Sequence, residues 1–186
     1  VLDDRRTRIL DAAEGLFAEH GFDATPTAQI AHRAEVPKGL IFYYFPRKID
    51  LLLTLLQERL PDVSRSDLRD VVREGDPARS LLRLDERIGL GRHQSLVLRH
   101  IIFRESSTHP EVREYLRRLR QALVELTETA LNRAIPHHIE PRLLREAAHT
   151  FVAVMLDRAN VSRIGGSPPD LDGAARVIAL ALQPTA

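Results

Sequence analysis

Residues 25–48, TPTAQIAHRAEVPKGLIFYYFPRK, concentrate the side chains of this chain that can grip another molecule. The two lysines of the whole sequence, Lys38 and Lys48, both fall here, although arginines are plentiful elsewhere. Four of the nine aromatics stand side by side as Phe42-Tyr43-Tyr44-Phe45. Ammonium and hydroxyl groups donate to phosphate oxygens, and a lysine also reaches the O6 and N7 acceptors of guanine. A glycine lets backbone approach a surface closely. Pro37, Lys38, Gly39 and Leu40 therefore read as the leading residues of a helix laid in a DNA major groove. Tyr43 and Tyr44 offer hydroxyls to phosphates, while Phe42 and Phe45 pack inward or lie against sugars. Lys48 sits in the first turn of the next helix, where free amides already favour an anion. Thr25 and Thr27 can do the same one helix earlier, with Arg5 or Arg6 from the N-terminal arm.

Elements that place these groups follow from periodicity and punctuation. Ile9, Leu10, Ala13, Leu16 and Phe17 mark a helix over residues 4–20, closed by Gly21. Thr25 before Pro26 predicts the start of a second helix, the hydroxyl capping and the proline filling the first turn. This helix runs to about Ala34; a third spans Pro37 to Phe45; Pro46 opens a fourth, ended by Pro61. Residues 61–77 are polar and carry Gly75 and Pro77, the pattern of a junction. Further helices are predicted at 77–89, 93–107, 110–134, 141–164 and 171–182. The fold class is all-α, with about nine helices. Residues 1–48 form the helix-turn-helix DNA-binding domain and residues 49–186 a helical domain.

The pattern resembles the tetracycline-repressor (TetR) family of transcriptional regulators over about residues 5–55. Its marks are Arg8-Ile9-Leu10, Ala12-Ala13, Leu16-Phe17, Gly21-Phe22, Thr25, Ile30-Ala31, Ala34, Val36, Lys38-Gly39, Tyr44-Phe45, Lys48 and Leu51. The chain departs from the family pattern at four positions. Glu35 stands where a turn glycine is usual, Pro37 where Ser or Thr is usual, Leu40 where a small polar residue is usual, and Phe42 where a phosphate-binding tyrosine is usual. The resemblance implies a C-terminal domain that dimerises and binds a small-molecule effector. It further implies a repressor released from a palindromic double-stranded DNA operator when that effector binds.

The C-terminal residues add their own reading. From Ala147 to Leu156 the helix is apolar on nearly every side, and 171–182 is apolar all round. A helix without a polar face is covered twice, which points to a homodimer through helices near 141–164 and 171–182. Central helices of a monomer are the other account. On helix 93–107, His100 and Arg104 fall in the apolar sector, as does Arg158 on 141–164. Either they form structural ion pairs, with Asp157 or Glu105 at hand, or they line an effector pocket. Phe103, Tyr115, Phe151 and Met155 would supply its apolar walls or serve as plain core.

Several classes are excluded or disfavoured. Cysteine is absent, so no disulfide, zinc finger or thiol nucleophile is available. No phosphate loop, nucleophile elbow or catalytic carboxylate pair stands out, so no enzyme is expected. The adjacent His137 and His138 lack a metal-ligand spacing, and neither metal nor cofactor is expected. Apolar runs are too short for a membrane span, and a cytoplasmic protein is expected. Net charge is +1, and residues 1–50 hold seven Lys/Arg against eight Asp/Glu. Any basic face is therefore local, formed by Arg33, Lys38, Arg47 and Lys48. A helical interaction module that has lost specific DNA binding is the alternative function.

Overall fold

The computed structural model describes residues 2–60, 63, 68–90, 105–160 and 166–184. Among them the chain is all-helical, with eight helices and no strand. These are α1 (Leu2–His20), α2 (Thr27–Arg33), α3 (Lys38–Tyr44), α4 (Lys48–Arg59), α5 (Pro77–Ile88), α6 (Pro110–Ala134), α7 (Pro141–Asn160) and α8 (Leu171–Ala181). The ninth expected helix, 93–107, lies almost wholly outside the described residues. Three helices open on proline, whose missing N–H is unneeded in a first turn. Asp76 caps α5, its carboxylate accepting the Arg79 N–H at 2.9 Å.

Contacts divide the chain into two compact units, Val1–Leu60 with Gln94–Leu116, and Pro61–His93 with Arg117–Ala186. The first is built on the apolar stripe of α1. Ile9, Leu10, Ala13, Leu16 and Phe17 are buried, as are Ile30, Ile41, Phe45 and the α4 residues Leu51, Leu52, Leu55 and Leu56, with α1 packed against α2 and α2 against α3. Each such large side chain contributes about 1.5–3 kcal/mol on leaving water. Helix α4 thus packs with α1. Tyr115, near the start of α6, donates its hydroxyl to the Leu56 carbonyl at 3.3 Å.

The second unit has its own core. Leu81, Leu84 and Ile88 of α5, Leu123, Val124 and Leu131 of α6, Phe151, Val152 and Met155 of α7, and Ala175 and Ile178 of α8 are all buried in it. Val63, Leu68 and Val71, within the polar stretch read as a junction, join this core. No described helix is long and apolar enough to cross a membrane.

Candidate nucleic-acid interface

The turn between α2 and α3 is set by a helix ending that the sequence resists. Val36 N–H returns to the Ala31 carbonyl at 3.0 Å and Glu35 N–H to His32 at 3.1 Å, the double closure that follows a left-handed residue. Glu35 holds that conformation, with φ 53°, where glycine is the unstrained choice. Its carboxylate projects into solvent, 3.9 Å from the Arg8 guanidinium.

Helix α3 then presents two unlike faces. Ile41 and Phe45 are buried, and Leu40 and Tyr44 half-buried. Pro37, Lys38, Gly39, Phe42 and Tyr43 are exposed, Tyr43 by 74% and Phe42 by 44%. Among the described residues, neither Lys38 nor the Tyr43 hydroxyl has a hydrogen-bond partner. A Cβ built on Gly39 meets nothing within 4 Å, so the chain itself gives no steric reason for glycine there. The Thr27 side chain, at the first residue of α2, is half-exposed.

Other expected contacts are already committed elsewhere. Thr25 is fully buried and is not the cap of α2, which starts after Pro26 without a side-chain cap. Its hydroxyl donates to the Gly21 carbonyl at 2.7 Å and lies 3.3 Å from that of Leu16, so it locks the end of α1 and has no route to a phosphate. Arg6 pairs with Glu58 and lies over the Phe45 ring. Pro46 precedes α4 by two residues, and Asp50 reaches back to accept the Arg47 N–H at 2.9 Å. The Arg47 guanidinium beside it holds the Asp50 carboxyl below the usual carboxylate range. Lys48 is half-buried. Its ammonium stands 4.5 Å from the Phe22 ring centroid and 3.3 Å from the Asp23 carbonyl it donates to. Burial lowers its pKa, with Asp23 and Glu105 opposing that shift.

An anchor beneath this surface escaped the sequence reading. Glu105 is 3% exposed, and its Oε1 accepts the Phe22 N–H at 3.1 Å. Its Oε2 lies 3.3 Å from His109 Nε2, which is 3.5 Å from Asp23 Oδ1. The His109 ring stands edge-on to Phe22, centroids 4.7 Å apart. The i,i+4 spacing of Glu105 and His109 was the visible signal; their partner, 83 residues from Glu105, was not.

The residues expected around an effector are not brought together among those described. His100, Phe103 and Arg104 lie outside the described residues. Phe151 and Met155 are core residues of the second unit, and Tyr115 belongs to the first. Arg158 is not buried: it points outward and pairs with Asp85 at 3.1 Å, rather than with Asp157 or Glu105. Two open clefts of about 450 and 440 Å³ flank Arg33 on the first unit, and none of these residues lines either. His137 contacts the Leu182 carbonyl at 3.0 Å, and the described residues hold no metal-binding cluster.

Two helices joined by a tight turn, the second exposing a cation, a bare backbone and aromatics, define a helix-turn-helix DNA-binding protein. Residues 9–55 match the family described as bacterial regulatory proteins, tetR family. The chain is similar to the HTH-type transcriptional activator FasR of Mycolicibacterium smegmatis, with 27% identity over 174 residues, 92% of this chain and 78% of that protein. Among solved structures it is similar to native NalD, the secondary repressor of the MexAB-OprM multidrug efflux pump in Pseudomonas aeruginosa. That likeness has 26% identity and a TM-score of 0.70, covering 97% of this chain and 96% of that one. A SmeT–triclosan complex shares the fold, at 23% identity and a TM-score of 0.69 over 95% of this chain and 90% of that one. Residues 9–55 thus form a tetR-family DNA-binding domain, and the chain is a DNA-binding transcriptional regulator similar along most of its length to proteins of that kind.

Proposed function

We propose that this regulator is a homodimeric repressor that binds a palindromic operator through α3 and is released by a small-molecule effector. The observation that carries the DNA reading is the outward face of α3, where Lys38, Gly39, Phe42 and Tyr43 stand exposed. Thr27 and Lys48 flank it as phosphate contacts, Lys48 with those ammonium hydrogens that Asp23 does not take. Residues 1–48 are the DNA-reading part, and 49–186 the part that dimerises and binds the effector.

Dimerisation is supported by apolar surface on the last two helices. Val177 and Leu180 of α8 are 66% and 63% exposed, and Leu143 of α7 is 41% exposed. Ala153 of α7 is exposed as well, although its neighbours Phe151, Val152 and Met155 are buried. Covering this face with its own copy gives a two-fold axis, and two recognition helices then read a palindrome. The effector reading draws on the triclosan bound by SmeT, and the repressor reading on NalD; FasR, named an activator, is the opposite case. Release follows if the effector binds the DNA-free state more tightly than the DNA-bound one. Such a protein works in the cytoplasm, without enzymatic activity, cofactor or metal.

The test is selection of bound sequences from a random duplex pool at several salt concentrations, with sedimentation of the free protein. A palindromic motif and a dimer are the expected results. A single unrepeated half-site bound by a monomer would overturn the dimeric reading, and no enrichment at any salt would overturn the operator reading.

A further inference from the structure

Helix α3 exposes very few groups that can read a base by hydrogen bonding. At about 100° per residue, Lys38, Phe42, Gly39 and Tyr43 follow one another around an arc of about 140°. No amide, carboxylate or guanidinium stands on that arc. Recognition of adenine through its N6 and N7 edge uses Asn or Gln, and recognition of cytosine N4 uses Asp or Glu; this face of α3 offers neither. Lys38 can address guanine. Gly39, between Phe42 and Tyr43 on the arc, has open space above it, so a groove can approach the backbone there. Phe42 stands beside Gly39 with 44% of its surface exposed and no hydroxyl to give a phosphate. An apolar ring pressed against the floor of the major groove has one base feature to match, the 5-methyl group of thymine.

We infer that Phe42 is a specificity-determining residue that reads a thymine methyl group in each half-site, next to a guanine addressed by Lys38. This rests on the DNA-binding role of α3 proposed above. Leu40 is half-buried while Phe42 is exposed, so Phe42 is the apolar side chain with the greater reach. Gly39 matters to the same contact, since a side chain there would hold the ring away from the base.

The experiment takes the shortest duplex enriched from a random pool and replaces its thymines one at a time with deoxyuridine, which keeps pairing and removes the methyl. The full chain should lose about fourfold in affinity at one or two thymines per half-site, the worth of one buried methyl, and nothing at the others. Phe42→Ala should bind more weakly and no longer distinguish thymine from uracil at those positions. Indifference of the unaltered protein to every deoxyuridine would overturn the inference, since Phe42 would then lie on sugar. So would a uracil effect that survives in Phe42→Ala. Failure to enrich any duplex is a separate result, because it removes the DNA-binding role of α3 and the methyl contact with it.

Discussion

Gly39 separates what the fold wants from what the ligand wants. It occupies the second position of a seven-residue helix, has no left-handed backbone, and leaves empty space where a Cβ would be. Glycine in a helix costs about 0.5–1 kcal/mol relative to alanine. Gly39→Ala therefore should raise stability by about that amount, read as a higher urea midpoint with an unchanged denaturant slope. The same methyl would stand on the exposed arc of α3, between Phe42 and Tyr43, where the proposed complex puts the groove floor. Forcing one carbon group into a packed contact costs about 1–3 kcal/mol, so affinity for the selected operator should fall by roughly 5- to 150-fold. No phosphate contact is removed, so the salt dependence of binding should keep its slope. The paired assay is urea denaturation and operator titration on one preparation. A stabilised variant with unchanged affinity would refute the placement of Gly39 against DNA. A destabilised variant would refute the helical, unstrained backbone on which the magnitude rests.

Other outcomes follow from the same geometry. Glu35→Gly should stabilise the protein by about 1 kcal/mol by relieving the left-handed residue, and denaturation showing no gain would mean that the turn carries no strain. Thr25→Val should cost about 1–3 kcal/mol, because the Gly21 and Leu16 carbonyls lose their buried donor. Its operator salt slope should match that of the unaltered protein, and a flatter slope would return Thr25 to the phosphate contacts. Lys48→Met keeps an unbranched stem over Phe22 and should lower the salt slope by about one unit; an unchanged slope would remove Lys48 from the phosphate contacts.

What was legible in the sequence was local. The helix-turn-helix, the Gly21 that closes α1 and the outward Pro37, Lys38 and Gly39 depend on neighbours within a few residues, and periodicity finds such elements; Leu40, expected outward, is half-buried, and Phe42, left between inward packing and sugar contact, is exposed. Thr25 misled because a threonine before proline suits a helix cap, and equally a buried hydroxyl folded back on carbonyls four and nine residues earlier. Arg158 misled because the helical arc that places it with Ala147 and Phe151 ignores the reach of an arginine. Near a helix end its stem can lie along the surface while the head finds Asp85, 73 residues away. Glu105 was read as a possible partner for buried arginines, and the amide it accepts belongs to a turn far away in sequence. Burial of Phe151 and Met155 gave no clue by itself, since core and cavity wall use the same side chains.

The Glu105 contact also bears on how this regulator can be taken apart. Its carboxylate satisfies an amide of the α1–α2 turn, and the His109 ring covers one edge of Phe22. A protein cut after Leu60 would keep every residue of the DNA-reading surface. It would nevertheless leave the Phe22 amide without that acceptor and expose an aromatic that is 6% exposed in the intact chain. The segment matched to the family, residues 9–55, thus leaves out Glu105 and His109, which the compact unit around it includes. Chimaeras that graft this reading head onto another sensor should carry residues 105–116 with it, or supply a substitute carboxylate at the same place.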